Sequence, residues 1–461
     1  MTAAHGAVGA LPARKAALLA GLLGSLFVLS LWVTRAPLEV PLLATTAAVL
    51  FLATLLHAEA GLVILIASML LSPEIPLGGA GGGGGLEGSR SVILRTEDLV
   101  LLLVGFAWMA RMAIHKDLGA IRRTRLNVCI FAFSACCLLS TLIGIETGRV
   151  RPLLGLCFVA KYVEYFIIFF ITVNYVRTGA QLRRLLLAVL VTASLIAAYA
   201  WWQIPSGIRP SAPFEGPEGE PNTLGGYLVL VFSVACALAL TLPAEMRRLR
   251  RGSVLLSLFV VPPLLATLSR SSWIGLSASL LTLVFLSPRR RTLIGAVILA
   301  STLLFFVHPK SVEERVLYTF QGEDQAAQIG RVKLDPSSSA RLSSWGDALR
   351  GFVQHPLAGW GITGYGFLDA QYFRILVELG ALGLLAFFLL VGSAATSFHR
   401  AFMTLPDPLH RALGLGMAAG LAGLLGHSIG TNTFMLIRIM EPFWLLTGLV
   451  VASLSFPVEA P

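Results

Sequence analysis

Leu126 to Ile145 reads LNVCIFAFSACCLLSTLIGI, twenty residues without one charged side chain. At a rise of about 1.5 Å per residue, such a helix matches the roughly 30 Å hydrocarbon core of a bilayer. Comparable apolar runs fall near 16–34, 38–56, 58–72, 98–114, 156–175, 181–203, 222–242, 252–268, 271–287, 292–307, 371–396, 411–430 and 435–455. The chain therefore reads as an all-α, polytopic integral membrane protein with about fourteen transmembrane helices. The shortest run, 58–72, is the weakest span, and a re-entrant segment there would invert the topology before it.

Composition agrees. Of 461 residues, 56% are hydrophobic and 13% charged, with a mean hydropathy of +0.80. Ordinary globular proteins are about 45–50% apolar and about 25% charged. Half the usual charge cannot coat a water-soluble surface, which excludes a soluble enzyme, a disordered tail and a secreted disulfide scaffold. Outer-membrane barrels alternate over about ten residues per strand, whereas these runs are continuous. The five cysteines (Cys129, Cys136, Cys137, Cys157, Cys236) lie inside apolar runs, in neither metal-site nor disulfide spacing, and read as small core residues. No cleavable signal peptide is evident, so the first run reads as a retained span.

The net charge of +11 does not point to nucleic acid, because the basic residues form short clusters between spans, where they set topology. With the N-terminus inside, Arg14/Lys15, Arg111, Lys116, Arg122, Arg123, Arg125, Arg177, Arg183, Arg184, Arg247, Arg248, Arg250, Arg251, Arg289–Arg291, Arg400 and Arg411 all fall on one side. Both termini are thereby placed in the cytoplasm. The opposite side receives 73–97, the loop 204–221, a tight turn at 269–271 and the long stretch 308–370. The organisation is then membrane helices over 1–307, an outer loop over 308–370, and membrane helices over 371–461. The outer loop carries Tyr318, Trp345, Trp360 and Tyr365 beside Arg341 and Arg350, which predicts short amphipathic helices over the outer face. The glycine run Gly81–Gly85 lacks the lysine and hydroxyl of a phosphate loop and reads as a linker. No internal repeat is visible, which argues against a repeat-built transporter.

Ionisable residues within or beside the hydrocarbon mark candidate function. Lys161 and Glu164, three apart on one helix face, can pair, either as a structural brace or in contact with substrate. Arg374 and Glu378, four apart, repeat the pattern. His57 and Glu59 read as solvated boundary residues. Arg270, in Leu268-Ser269-Arg270-Ser271-Ser272-Trp273, lies alone at the outer membrane surface, where topology does not require it. Its guanidinium fork suits a phosphate oxygen pair, with snorkelling to headgroups as the alternative. Arg209 and Arg341 are external as well. Three external arginines suffice to neutralise a diphosphate, and no Asp-x-Asp motif offers a metal for that work.

Several stretches together resemble the bacterial O-antigen ligase and O-antigen polymerase superfamily. They are Glu220-Pro221-Asn222-Thr223-Leu224-Gly225-Gly226-Tyr227, the Arg270 turn, Ser339-Ala340-Arg341-Leu342-Ser343-Ser344-Trp345, His355-Pro356-Leu357-Ala358-Gly359-Trp360-Gly361-Ile362-Thr363-Gly364, and Asp369-Ala370-Gln371-Tyr372 leading to Leu376-Val377-Glu378-Leu379-Gly380. Their order covers roughly 205–385. The resemblance implies a glycosyltransferase of the bacterial inner membrane whose large loop is periplasmic. Its donor would be an undecaprenyl-diphosphate-linked glycan and its acceptor a sugar or lipid-linked glycan, with no metal and no other cofactor. Arg270 and Arg341 would grip the donor diphosphate, with Arg209 helping, and Asn222, His355, Tyr372, Arg374 and Glu378 would line the substrate site. Ligases of the family carry His-Asn before the last-motif tyrosine, as the general base. Here those positions are Asp369-Ala370, which makes Asp369 the candidate base, with His355 a rival or merely part of a turn. The departure favours a polymerase of O-antigen or exopolysaccharide repeats, with a chain-length regulator as an open partner. A ligase acting on lipid A core, and a flippase or transporter of lipid-linked glycan, stand as alternatives.

Overall fold

A computed structural model describes residues 37, 39–75, 94–114, 121–215, 219–307, 328–329, 332–333, 336–366 and 368–456. The expected span at 16–34, the glycine run and much of 308–335 lie outside them. The described helices are α1 (Glu39–Leu56), α2 (Ala58–Leu71), α3 (Thr96–Ile114), α4 (Arg125–Glu146), α5 (Pro152–Tyr175), α6 (Gly179–Gln203), α7 (Pro221–Thr241), α8 (Arg247–Ala266), α9 (Arg270–Leu286), α10 (Arg290–Val307), α11 (Pro336–Gln354), α12 (Gln371–Thr404), α13 (Pro408–His427) and α14 (Ile437–Ser453). Strand is confined, among the described residues, to two antiparallel pairs of two-residue segments. The protein is all-α and polytopic: seven described helices are long and apolar enough to cross a membrane, and three more apolar helices are shorter. Each predicted run from 38–56 onward coincides with a helix, and α11 lies between α10 and α12 as an additional helix outside those runs.

α7 is the centre of the bundle. It is apolar on every side, and 94% of its most apolar window is buried, as expected of a helix surrounded by other helices. It packs on α13, α8 and α9. Lipid supplies no hydrophobic drive between spans, so small residues and close backbones hold them together. A Cβ on Gly416 of α13 would lie 2.8 Å from the Val234 Cα of α7, and one on Gly275 of α9 would lie 2.7 Å from the Gly423 carbonyl oxygen of α13. The Ser233 and Ser279 hydroxyls meet at 2.6 Å between α7 and α9. Outward-facing apolar side chains such as Val128, Leu153 and Phe285 are exposed, where acyl chains would cover them.

One expectation is corrected. The run 371–396 reads as a single helix, but α12 breaks at Gly380, which has φ 70° and ψ −170°. The break strands backbone groups that a membrane cannot hydrate. The loop after α11 satisfies them. Trp360 and Gly361 N–H donate to the Val377 and Glu378 carbonyls at 3.0 and 2.9 Å, and Ala381 N–H donates to the Pro356 carbonyl at 2.8 Å. The approach demands glycine on both sides: a Cβ on Gly380 would lie 2.3 Å from the Leu357 oxygen, and one on Gly359 would lie 2.4 Å from the Glu378 oxygen.

Candidate functional site

The predicted site residues lie at the starts of α7, α9 and α12, on α11 and in the loops beside them. Arg270 opens α9 behind a turn in which Leu268 adopts φ 52°, and the Ser269 hydroxyl caps the helix by accepting Ser272 N–H at 3.3 Å. A left-handed leucine is costly and is retained only where surrounding structure enforces it. Arg209 supplies part of that enforcement: its Nε donates to the Thr267 carbonyl at 2.8 Å. Phe214 and Thr363 are the other non-glycine residues with positive φ among those described. All three strained positions therefore lie in loops that carry sequence-predicted site residues.

Arg341 on α11 meets Asp369 just before α12, with Nη2 to Oδ2 at 3.5 Å. The same arginine borders the Arg270 turn, because a Cβ on Gly430 would touch Ser271 Oγ at 2.6 Å and Arg341 Nη1 at 3.7 Å. Thus Arg270, Arg341 and Asp369 are brought to one place, with Arg209 behind the turn. Burial pushes the Asp369 carboxyl up from its ordinary value, the Arg341 cation pulls it back down, and the Glu220 carboxylate pushes it up again. Both partners of the pair remain partly open, at 28% and 33% side-chain exposure.

The other predicted residues sit around this centre in supporting positions. Arg374 Nε donates to Glu378 at 3.2 Å, and their side chains are only 6% and 3% exposed. Glu378 also accepts Thr363 N–H at 3.3 Å, so the pair ties the broken helix to the 355–366 loop. The Tyr372 hydroxyl donates to the Leu425 carbonyl at 2.6 Å, bracing α12 on α13. His355 packs edge-on against Trp360 at 4.7 Å, and its carbonyl accepts Gly359 N–H at 3.0 Å in a turn. Partial burial, then the Arg149 cation, lowers its imidazole. Asn222 is the second residue of α7, and its backbone faces the fully buried ring of His427, whose Nδ1 meets the Thr433 hydroxyl at 2.7 Å. Among the described residues, no three His, Cys, Asp or Glu side chains gather as a metal site.

Lys161 and Glu164 do pair, at 3.2 Å, but Lys161 also reaches Asp98 at 2.5 Å. Glu59, rather than being merely solvated, binds Arg184 and accepts from Tyr175 at 3.4 Å. Glu97, Asp98, Glu215, Arg438 and Glu441 were not singled out by sequence reasoning. Arg438, fully buried, pairs with Glu215 at 3.3 Å and donates to the Pro213 and Ser72 carbonyls at 2.9 and 3.3 Å. Glu215 in turn accepts Glu220 N–H at 2.9 Å, and so fixes the start of α7. The signal was present, since Asp98, Arg438 and Glu441 lie within apolar runs where any ionisable residue is suspect.

These features define a polytopic membrane protein with an arginine–carboxylate pair, Arg341 and Asp369, just before α12. Residues 255–388 match the model of the O-antigen ligase family, a segment that contains Arg270, Arg341, His355, Asp369, Tyr372, Arg374 and Glu378 and excludes Arg209 and Asn222. The match supports an O-antigen ligase-like glycosyltransferase. No curated protein matches the chain.

Proposed function

We propose that this protein is an inner-membrane glycosyltransferase that takes glycan from an undecaprenyl-diphosphate donor at the periplasmic face and polymerises O-antigen or exopolysaccharide repeats. The observation that carries the reading is the meeting of Arg341 with Asp369 beside the Arg270 turn. In the reaction, a hydroxyl of the acceptor sugar attacks the anomeric carbon of the donor glycan. The new glycosidic C–O bond forms as the bond to the diphosphate breaks, and the lipid diphosphate departs with the electron pair. Arg270 and Arg341 stabilise the charge that develops on it. Asp369 accepts the hydroxyl proton, for which a raised carboxyl is a better acceptor than an ordinary one. Arg209 acts through the turn, as a positioning residue.

A ligase acting on lipid A core is the second reading, and the family match favours keeping it. The test is a gel of lipopolysaccharide and lipid-linked glycan from the host with and without the gene. Collapse of a ladder to single repeats on deletion supports the polymerase. Long chains stranded on the polyprenyl carrier support the ligase. An unchanged pattern in both fractions rejects both.

A further inference from the structure

A cavity of about 160 Å3 lies where the start of α4 meets the ends of α12 and α14. Arg123 and Arg125 line it at the start of α4 and Arg400 near the end of α12, while Val451, Leu454 and Ser455 close it from the end of α14. We propose that this cavity is a lipid site, in which the three guanidiniums hold the phosphates of an anionic phospholipid whose acyl chains run down α4. The inference is independent of the transfer reaction.

Charge selects an anion. Among the described residues, no carboxylate lines the cavity, and none pairs with Arg123, Arg125 or Arg400. Like charges gathered around one recess repel, and an anion of matching charge removes that cost. Guanidinium forks grip phosphate oxygens in pairs. The start of α4 adds to the field. The side chain of its N-cap, Thr124, makes no capping bond, because its hydroxyl binds Asn127 instead. The uncapped helix start, positive by its dipole, is therefore part of the wall. The Ser397 hydroxyl donates to the Ser393 carbonyl at 2.8 Å, which leaves the arginines and Ser455 as the side-chain donors.

Position selects a lipid as the source of that anion. From Gly380 to Arg400, α12 rises about 30 Å, one hydrocarbon thickness. The cavity thus sits at headgroup level, in the leaflet opposite the Gly380 break. Counting on from Arg125, the side chains of Val128, Ala132, Ala135 and Leu139 are exposed. Their three- and four-residue spacing makes one apolar stripe down α4. A soluble phosphate leaves that stripe bare, whereas a phospholipid covers it with its acyl chains. Three cations also match two phosphates better than one. A diphosphatidylglycerol carries two, and basic pockets between spans suit such headgroups.

Native mass spectrometry of the full-length protein in detergent, titrated with diphosphatidylglycerol, tests the site. Phosphatidylcholine is the zwitterionic reference and inorganic phosphate the competitor. One saturable diphosphatidylglycerol adduct is expected. Replacing Arg123, Arg125 and Arg400 together by Gln should weaken it about 100-fold, at about fivefold for each basic residue lost. Arg247, Arg248 and Arg251, exposed near the start of α8, provide an equal charge for the control. Their triple Gln variant is expected to bind within about twofold of the native protein. Equal weakening in both variants reduces the site to diffuse surface charge and overturns it, as does native affinity in the cavity variant or equal binding of phosphatidylcholine. Displacement of the lipid by equimolar inorganic phosphate assigns the cavity to a soluble phosphate and overturns the lipid. If the triple cavity variant does not fold, Arg400→Gln alone should bind about fivefold more weakly, and unchanged affinity there rejects the proposal.

Discussion

Arg374–Glu378 and Arg341–Asp369 are the same chemical pair in two settings. The first is an i,i+4 pair inside α12, 6% and 3% exposed, with N and O at 3.2 Å. The second joins two elements, is 28% and 33% exposed, and stands at 3.5 Å. Sequence alone makes them look interchangeable, and only their surroundings separate them. A buried pair must stay closed, because parting it leaves an uncompensated charge in a low-dielectric interior. A partly open pair can part, and under the proposed mechanism its arginine and carboxylate would then serve a diphosphate and a proton. The carboxylates next to each pair reinforce the contrast, since Glu378 has Thr363 N–H as a second donor, while Asp369 has Glu220 pushing its carboxyl up.

The contrast breaks if the two pairs respond alike to mutation. Glu378→Ala, which strands Arg374, is expected to cost about 3–5 kcal/mol of stability, read by thermal unfolding in detergent. Asp369→Ala should cost at most about 1 kcal/mol in the same measurement. Activity should invert the ranking. Arg341→Gln is expected to lower transfer about 10²–10³-fold, the range for losing one donor to a charged transition state, with an unchanged melting temperature. Normal turnover in a purified assay would remove Arg341 from the mechanism.

Gly380→Ala tests the joint between the two settings. A left-handed alanine costs about 1–2 kcal/mol before any clash, and its Cβ would press on the Leu357 oxygen at 2.3 Å. Loss of stability should therefore accompany loss of transfer, because the 355–366 loop is held by that break. Arg209→Gln removes one bond to the Arg270 turn, worth about 1 kcal/mol, and is expected to slow transfer up to about tenfold with KM for donor raised. The smallest effect is on pH. The proton-accepting form of Asp369 exists above its pKa, so activity should rise along an acid limb displaced upward from an ordinary aspartate. Arg341 holds that pKa down, so in the residual activity of Arg341→Gln the limb should move to higher pH. Asp369→Asn should abolish it, and an unmoved limb in both variants assigns it to another group.

Much of the architecture was legible because lipid leaves the chain few options. Every described apolar run became a helix, since a helix alone satisfies its backbone within one segment. Two of the basic residues take local partners that hydropathy does not predict, Arg111 with the Leu55 carbonyl at 3.0 Å and Arg184 with Glu59. The exception, at Gly380, escaped because hydropathy measures side chains, while the break depends on backbone partners that come from 356–361. The candidate site was legible in its members but not in its grouping. Arg270, Arg341 and Asp369 are separated by 71 and 28 positions in the chain, and no periodicity links them. Arg438, Glu441 and Asp98 stayed hidden inside runs whose average hydropathy outweighed one charge.

The amino-acid sequence by itself determined that this chain is a multi-pass membrane protein and where its apolar helices run. Those properties depend on the transfer free energy of each segment, which is local and nearly additive along the chain. Only the tertiary structure decided which arginine–carboxylate pair is sealed and which is open, where Lys161 finds its second carboxylate, and that Arg123, Arg125 and Arg400 line one cavity. Charge interactions fall with distance and depend on the medium between the groups. Both are set by which helices pack together, not by where their residues fall in the chain.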